Sequence, residues 1–155
     1  MLGGPKRSSC ATRIVWYSYA TIRVVPRVER GEFLNVGVVL FAREDDFLGA
    51  CIELDDERLR ALAPDLDATV VKRHLETFGD ICQGNPRGGP VAALPAPERF
   101  HWLVAPRSTI IQTSPVHVGQ SDDPARTLDE LVVSLVRTPT TQSPAATPGA
   151  AEAGA

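Results

Sequence analysis

Side chains that hold metals or close disulfides are scarce in this chain. Its three cysteines, Cys10, Cys51 and Cys82, are odd in number and far apart, so their spacing supports neither a disulfide framework nor a thiolate site. The three histidines, His74, His101 and His117, are equally scattered, and a multi-histidine centre would need most of them. HExxH, CxxC and EF-hand spacings are absent, as are a phosphate-cradling Walker loop, a dinucleotide fingerprint behind a strand and a GxSxG elbow. No metal and no cofactor are therefore expected. Long apolar runs are missing too: nothing approaches the roughly 18 residues of a membrane span. Arg13 and Arg23 also break the first apolar stretch, so no signal peptide is read there. The expected setting is a reducing cytoplasm, without a membrane partner.

Charge of one sign is also lacking. The net charge is −3, which argues against long-range attraction to nucleic acid or anionic lipid. Its distribution is uneven, with six basic residues and a single acid, Glu29, between Lys6 and Arg30, and seven acids without a base between Glu44 and Glu57. Such runs commonly form solvated faces; the alternative is a basic face for a phosphate-bearing ligand and an acidic face for a protein partner. Aromatics make up only 6% of the chain. Trp16, Tyr17 and Tyr19 beside Arg13 and Arg23 imitate a base-stacking platform, but an aromatic strand more commonly feeds a core, so nucleic acid is not the expected partner.

What is present reads as one domain. The 155 residues are 43% hydrophobic, enough for a core without staples. Residues 1–12 are expected to be a flexible tail. Residues 138–155, "TPTTQSPAATPGAAEAGA", carry no apolar side chain larger than alanine and are expected to be disordered. Between them, in residues 13–137, "IVWYSYATIRVV", "FLNVGVVLFA" and "FLGACIEL" read as strands joined by short turns, an antiparallel meander. In the third, Leu48, Ala50, Ile52 and Leu54 share one face.

Helices follow. Asp55 or Asp56 caps "DERLRAL", which Pro64 ends, and Asp67 caps a longer helix with Val71, Leu75, Phe78 and Cys82 on one stripe. "NPRGGPVAALPAPE" reads as a long Pro/Gly loop, "FHWLVA" and "STIIQT" as short strands, and "SPVHVGQSDDP" as turn. Asp123 and Pro124 then open a helix with Leu128, Leu131, Val132, Leu135 and Val136 on its apolar face. The fold class is α+β: a single domain with an antiparallel sheet of at least three strands packed against two main helices.

The blocks "ERGEFLNVGVVLF" and "FHWLVAPRSTIIQTSPVHVGQSDDPARTLDELVVSLV" resemble the DUF3037 family of bacterial domains of unknown function, and the resemblance spans roughly Trp16 to Val136. The tails and the Pro/Gly loop depart from it. It implies no catalytic residue. It does imply company, since family members are often encoded beside a kinase-like protein of the HipA type.

A polar constellation remains. Arg107 and Ser108 offer a guanidinium fork and a hydroxyl to an anion. His117 has the intrinsic pKa of a general acid or base. Gln112 and Asn35 complete the candidate set. Each also has a plain reading: a turn after Pro106, a histidine paired with a carbonyl, a satisfied strand edge. Asn35 and Gly37 are unusual inside an apolar strand. Alternation puts both on one face and Leu34, Val36 and Val38 on the other. Either Asn35 pins the "ERGE" turn while Gly37 admits a crossing helix, or Asn35, Glu32 and the Arg107 loop line one cleft. The leading functional expectation is a non-catalytic interaction or regulatory module partnering a kinase-like protein. The other is an enzyme or ligand-binding domain for a nucleotide or another phosphate-containing molecule.

Overall fold

The computed structural model describes residues 13–138, so both expected tails lie outside the described residues, Thr138 apart. The antiparallel α+β arrangement is as expected. A five-stranded sheet is built on β1 (Val15–Val24), with β2 (Leu34–Ala42) on one side and β3 (Phe47–Ile52) beyond it. The other side of β1 is shared by two short strands, β4 (Ile111–Thr113) along its C-terminal half and β5 (His117–Ser121) along its N-terminal half. Between them the buried Ser114 holds Thr21 from both ends. Its amide donates to Thr21 O, and its Oγ accepts from Thr21 N, each at 2.9 Å. Pro115, which has no amide hydrogen to offer the ladder, then breaks the run.

Helices cover both faces. α1 (Asp56–Leu62), α2 (Ala68–Gln83) and α3 (Ala96–Leu103) lie on one, and α4 (Pro124–Leu135) on the other. The expected caps are in place. Asp55 accepts from the amides of Glu57 and Arg58, Asp67 from Thr69 and Asp123 from Arg126, each satisfying donors that a helix start leaves open. Gly84 ends α2 in the left-handed region at φ 74°. The larger core joins Ile22, Val24, Leu34, Val36, Val39 and Phe41 to Leu59, Val71, Leu75, Phe78, Ile81 and Phe100. The smaller joins Val15, Val38, Leu40 and Ala42 to Leu128, Val132 and Val136.

Three local expectations are corrected. "FHWLVA" is not a strand: Phe100 and Leu103 are the buried face of α3, and Pro97 stands in its first turn, where a missing amide hydrogen costs nothing. "VHVGQS" is not turn but β5, because the open edge of β1 supplies it with backbone partners. The Pro/Gly segment is not an open loop. It forms 3-10 turns at Pro86–Gly88 and Pro90–Ala93, and a Cβ on Gly88 would lie 2.9 Å from Ile81 N, so the segment is pressed onto α2.

The strand parity read from "LNVGVV" also changes. Ile22 pairs with Gly37 but Arg23 pairs with Asn35, so Val36 is the extra residue of a β-bulge. Leu34 and Val36 therefore join the larger core while Val38 joins the smaller. Gly37 admits no helix. It admits the neighbouring strand: a Cβ there would lie 2.6 Å from Cys51 O and 3.1 Å from Ile52 Cα, atoms of backbone that cannot yield.

Two glycine substitutions should consequently diverge. Gly37→Ala is expected to destabilise the fold by about 1–3 kcal/mol, as overpacking does. Gly79→Ala, in α2, would meet only Ile52 Cδ1 at 3.9 Å. It should stabilise by about 0.5–1 kcal/mol through helix propensity. Urea midpoints of the two variants check both signs.

Candidate functional site

The polar residues singled out in the sequence are placed apart. Asn35 lies under the end of α4, where its Nδ2 donates to Leu135 O at 3.1 Å. Arg58 donates to Val136 O at 3.2 Å, and Arg137 makes two bonds of 2.9 and 2.8 Å to the Glu53 carboxylate. These groups tie the end of α4 to β2, to α1 and to the residue that follows β3, with donors placed where a helix leaves carbonyls unpaired. Asn35 thus pins a helix end, not the "ERGE" turn. Glu32 is held by Arg30 at 2.9 and 3.0 Å instead of meeting Asn35.

On the opposite face of the sheet, Arg107 lies over the Trp102 ring at 4.3 Å and donates to the Trp102 carbonyl. Ser108 beside it is exposed. Gln112 donates to Thr109 O at 2.9 Å, closing its own turn. His117 is in β5 opposite Tyr19, with ring centroids 5.2 Å apart, on the α4 side of the sheet. Arg107 and Asn35 line different cavities, and neither of those cavities includes Ser108, Gln112 or His117. The acidic run is likewise dispersed: Asp45 pairs with Arg13, Asp56 with Lys72, Glu53 with Arg137, and Asp55 caps α1.

What the fold does gather is apolar. β5 extends past the reach of the eight-residue α3, leaving a groove of about 700 Å³ between that helix and the β1–β5 ribbon. Phe41 and Phe100 form its floor, stacked at 5.4 Å. Trp16, Val116 and Val118 form its wall. Trp16 is 59% exposed and Val118 63%, whereas β2, in the interior of the sheet, is buried along nearly its whole length. Arg43, Glu44 and His101 supply the polar rim. Among the described residues β5 pairs with β1 alone, so its outer backbone edge is unpartnered beside this groove. The aromatic strand feeds the core only in part: Trp16, near the start of β1, stands on the rim, while Tyr17 and Tyr19 are half-buried on the other face. The alternation "PVHV", apolar at Val116 and Val118, was the available signal for a strand showing one apolar face.

The family model for DUF3037, described as a protein of unknown function, matches residues 19–136. The chain belongs to the DUF3037 family. The match runs from the middle of β1 through α4, so the larger core, the smaller core apart from Val15, and the groove's floor are family territory, while Trp16 lies outside the match. No curated protein and no solved structure matches this DUF3037 chain. No helix among the described residues is long and apolar enough to cross a membrane, and none of their His, Cys, Asp and Glu side chains cluster as a metal site would require.

Two measurements test this division between fold and surface. Val118→Thr should leave stability within about 0.5 kcal/mol, whereas Phe100→Ala, which empties the groove floor, should cost about 3–5 kcal/mol; thermal unfolding of both variants checks the contrast. The Arg137 bond holds the Glu53 carboxyl below its ordinary value of 4.5. A depressed carboxylate pKa stabilises above the unfolded value and loses that contribution as pH falls. The stability difference between the parent and Arg137→Gln should therefore be larger at about pH 6 than at about pH 3, read from denaturant midpoints at the two values.

Proposed function

We propose that the protein is a non-catalytic interaction module that receives an extended segment of a partner along β5. The observation that carries this reading is the exposed Trp16–Val118 wall beside an unpartnered strand edge. Strand addition uses both parts: backbone groups of the edge give affinity, and alternate side chains entering the groove give selectivity. Large aromatics such as Trp16 are enriched among the residues that anchor interfaces energetically. The mixed rim of Arg43 and Glu44 fits a segment that is apolar at alternate positions and polar between them.

The partner we propose is a kinase-like protein of the HipA type, the company that the family resemblance implies. In that pairing the module supplies a docking surface and the kinase supplies the chemistry. The strand edge favours a disordered or loop segment of the kinase over a preformed helix, since only an extended chain continues the ladder.

The test is direct binding of the purified kinase-like protein to the full chain, by interferometry. Saturable binding is expected, weakened at least about tenfold by Trp16→Ala, the loss of one anchor. Val118→Asp should weaken it similarly, and Arg60→Ala, exposed on α1 and remote from β5, should leave it unchanged. Binding that both groove variants retain would overturn the assignment of the surface, and no binding to the kinase would overturn the partner.

A further inference from the structure

A second cavity is built differently from the groove and does not depend on it. It lies between α2 and the connection from α3 to β4, with a volume of about 700 Å³, within the range that holds small ligands. His74, Thr77, Phe78 and Ile81 follow one another along α2 at i, i+3, i+4 and i+7, so a single helical stripe forms one wall. Trp102 and Arg107 form the wall across from it.

The charge of this cavity separates it from its neighbours. Other clefts pair their signs: Lys72 and Arg87 face Glu76 and Asp80 in one, and Arg58 and Arg137 face Glu53 and Asp55 in another. The Arg107 cleft is lined by no carboxylate. Among the described residues Arg107 makes no ion pair: its hydrogen bond goes to the Trp102 carbonyl and its plane rests on the indole. Burial there pulls its pKa downward, as it does for a cation short of solvent and counter-charge. A half-desolvated guanidinium with free donors is poised for a planar anion, which it binds by two parallel bonds. Most of the rest of the lining is apolar, Phe78, Ile81, Trp102, Ile110 and Ile111 among it, and suits an apolar body.

We infer that this cleft binds a small amphipathic anion, with its apolar body against Phe78, Ile81 and Trp102 and its carboxylate or phosphate on Arg107. The anion reading drawn from the sequence thus keeps Arg107 but replaces His117 and Asn35, which lie across the sheet, with His74 and Thr77. A carboxylate and a phosphate monoester share the chemistry and differ in charge.

Phenylacetate, phenyl phosphate and neutral benzyl alcohol distinguish the possibilities, titrated separately into the full chain and followed by amide chemical shifts. At least one anion should give saturable shifts confined to residues 74–81 and 102–111, binding at least about tenfold tighter than the alcohol, a charge-assisted contact. The tighter anion identifies the headgroup. Arg107→Gln should erase that preference with the spectrum otherwise superimposable, and Ala105→Phe, which fills the cleft, should remove binding of all three probes. Absence of saturable shifts with either anion, or an alcohol that binds as well as both, would overturn the inference.

Discussion

The bulge at Val36 and Gly37 is the constraint on which the rest of the molecule rests. A regular strand delivers alternate side chains to opposite faces, and β2 is apolar almost throughout. With one residue inserted, Leu34 and Val36 feed the core under α2, and Val38, Leu40 and Ala42 feed the core under α4. The same insertion turns Asn35 toward the end of α4, where its amide meets the Leu135 carbonyl. A polar side chain in the second position of this apolar strand is tolerated because a helix terminus offers its amide nitrogen an acceptor that would otherwise be empty. Gly37 is the companion requirement, since the bulged strand approaches the backbone of β3 too closely for a Cβ.

From this follows a division of labour between the two faces. The α2 and α3 side carries the larger core and the two cavities proposed as binding sites, while the α4 side is covered by a single helix secured at both ends. At its start, Asp123 caps the first turn and Ser121 hydrogen-bonds with Thr127. At its end, Asn35 and Arg58 take the last carbonyls. Function is proposed where packing stops: at the rim where β5 outruns α3, and at the cleft where the α3–β4 connection stands off from α2.

The parts that were legible in the sequence are those whose signals are local. Asp55, Asp67 and Asp123 announced their helices because capping is settled within three residues, and the stripe Val71, Leu75, Phe78, Cys82 announced the face of α2 because periodicity is settled within four turns. The failures were tertiary. "FHWLVA" is rich in aromatic and β-branched residues, and its helical state depends on Phe100 meeting Phe41 from a distant strand. β5 is short and contains Gly119, yet it is a strand because β1 has a free edge there. An unbroken apolar run such as "LNVGVVLFA" hides its own bulge, because both parities look equally buried. For the candidate surfaces, Arg107 was visible as a residue but its partner Trp102 was not, and Trp16 gave no sign that it would remain uncovered.

The pairing of Val15 with Ser121 carries a consequence for how the protein is made. The central strand leaves the ribosome first, whereas the two short strands that complete its outer side, and the helix that seals the smaller core, leave last. A nascent chain that has reached only the end of α3 has every residue of the β1–β2–β3 meander but lacks the partners that cover Val38 and Leu40 and pair with the outer edge of β1. Such contacts, distant along the chain, are slow to form, and an uncovered apolar sheet is a surface on which nascent chains meet one another. The last quarter of the described chain is in this sense an intramolecular chaperone for the first.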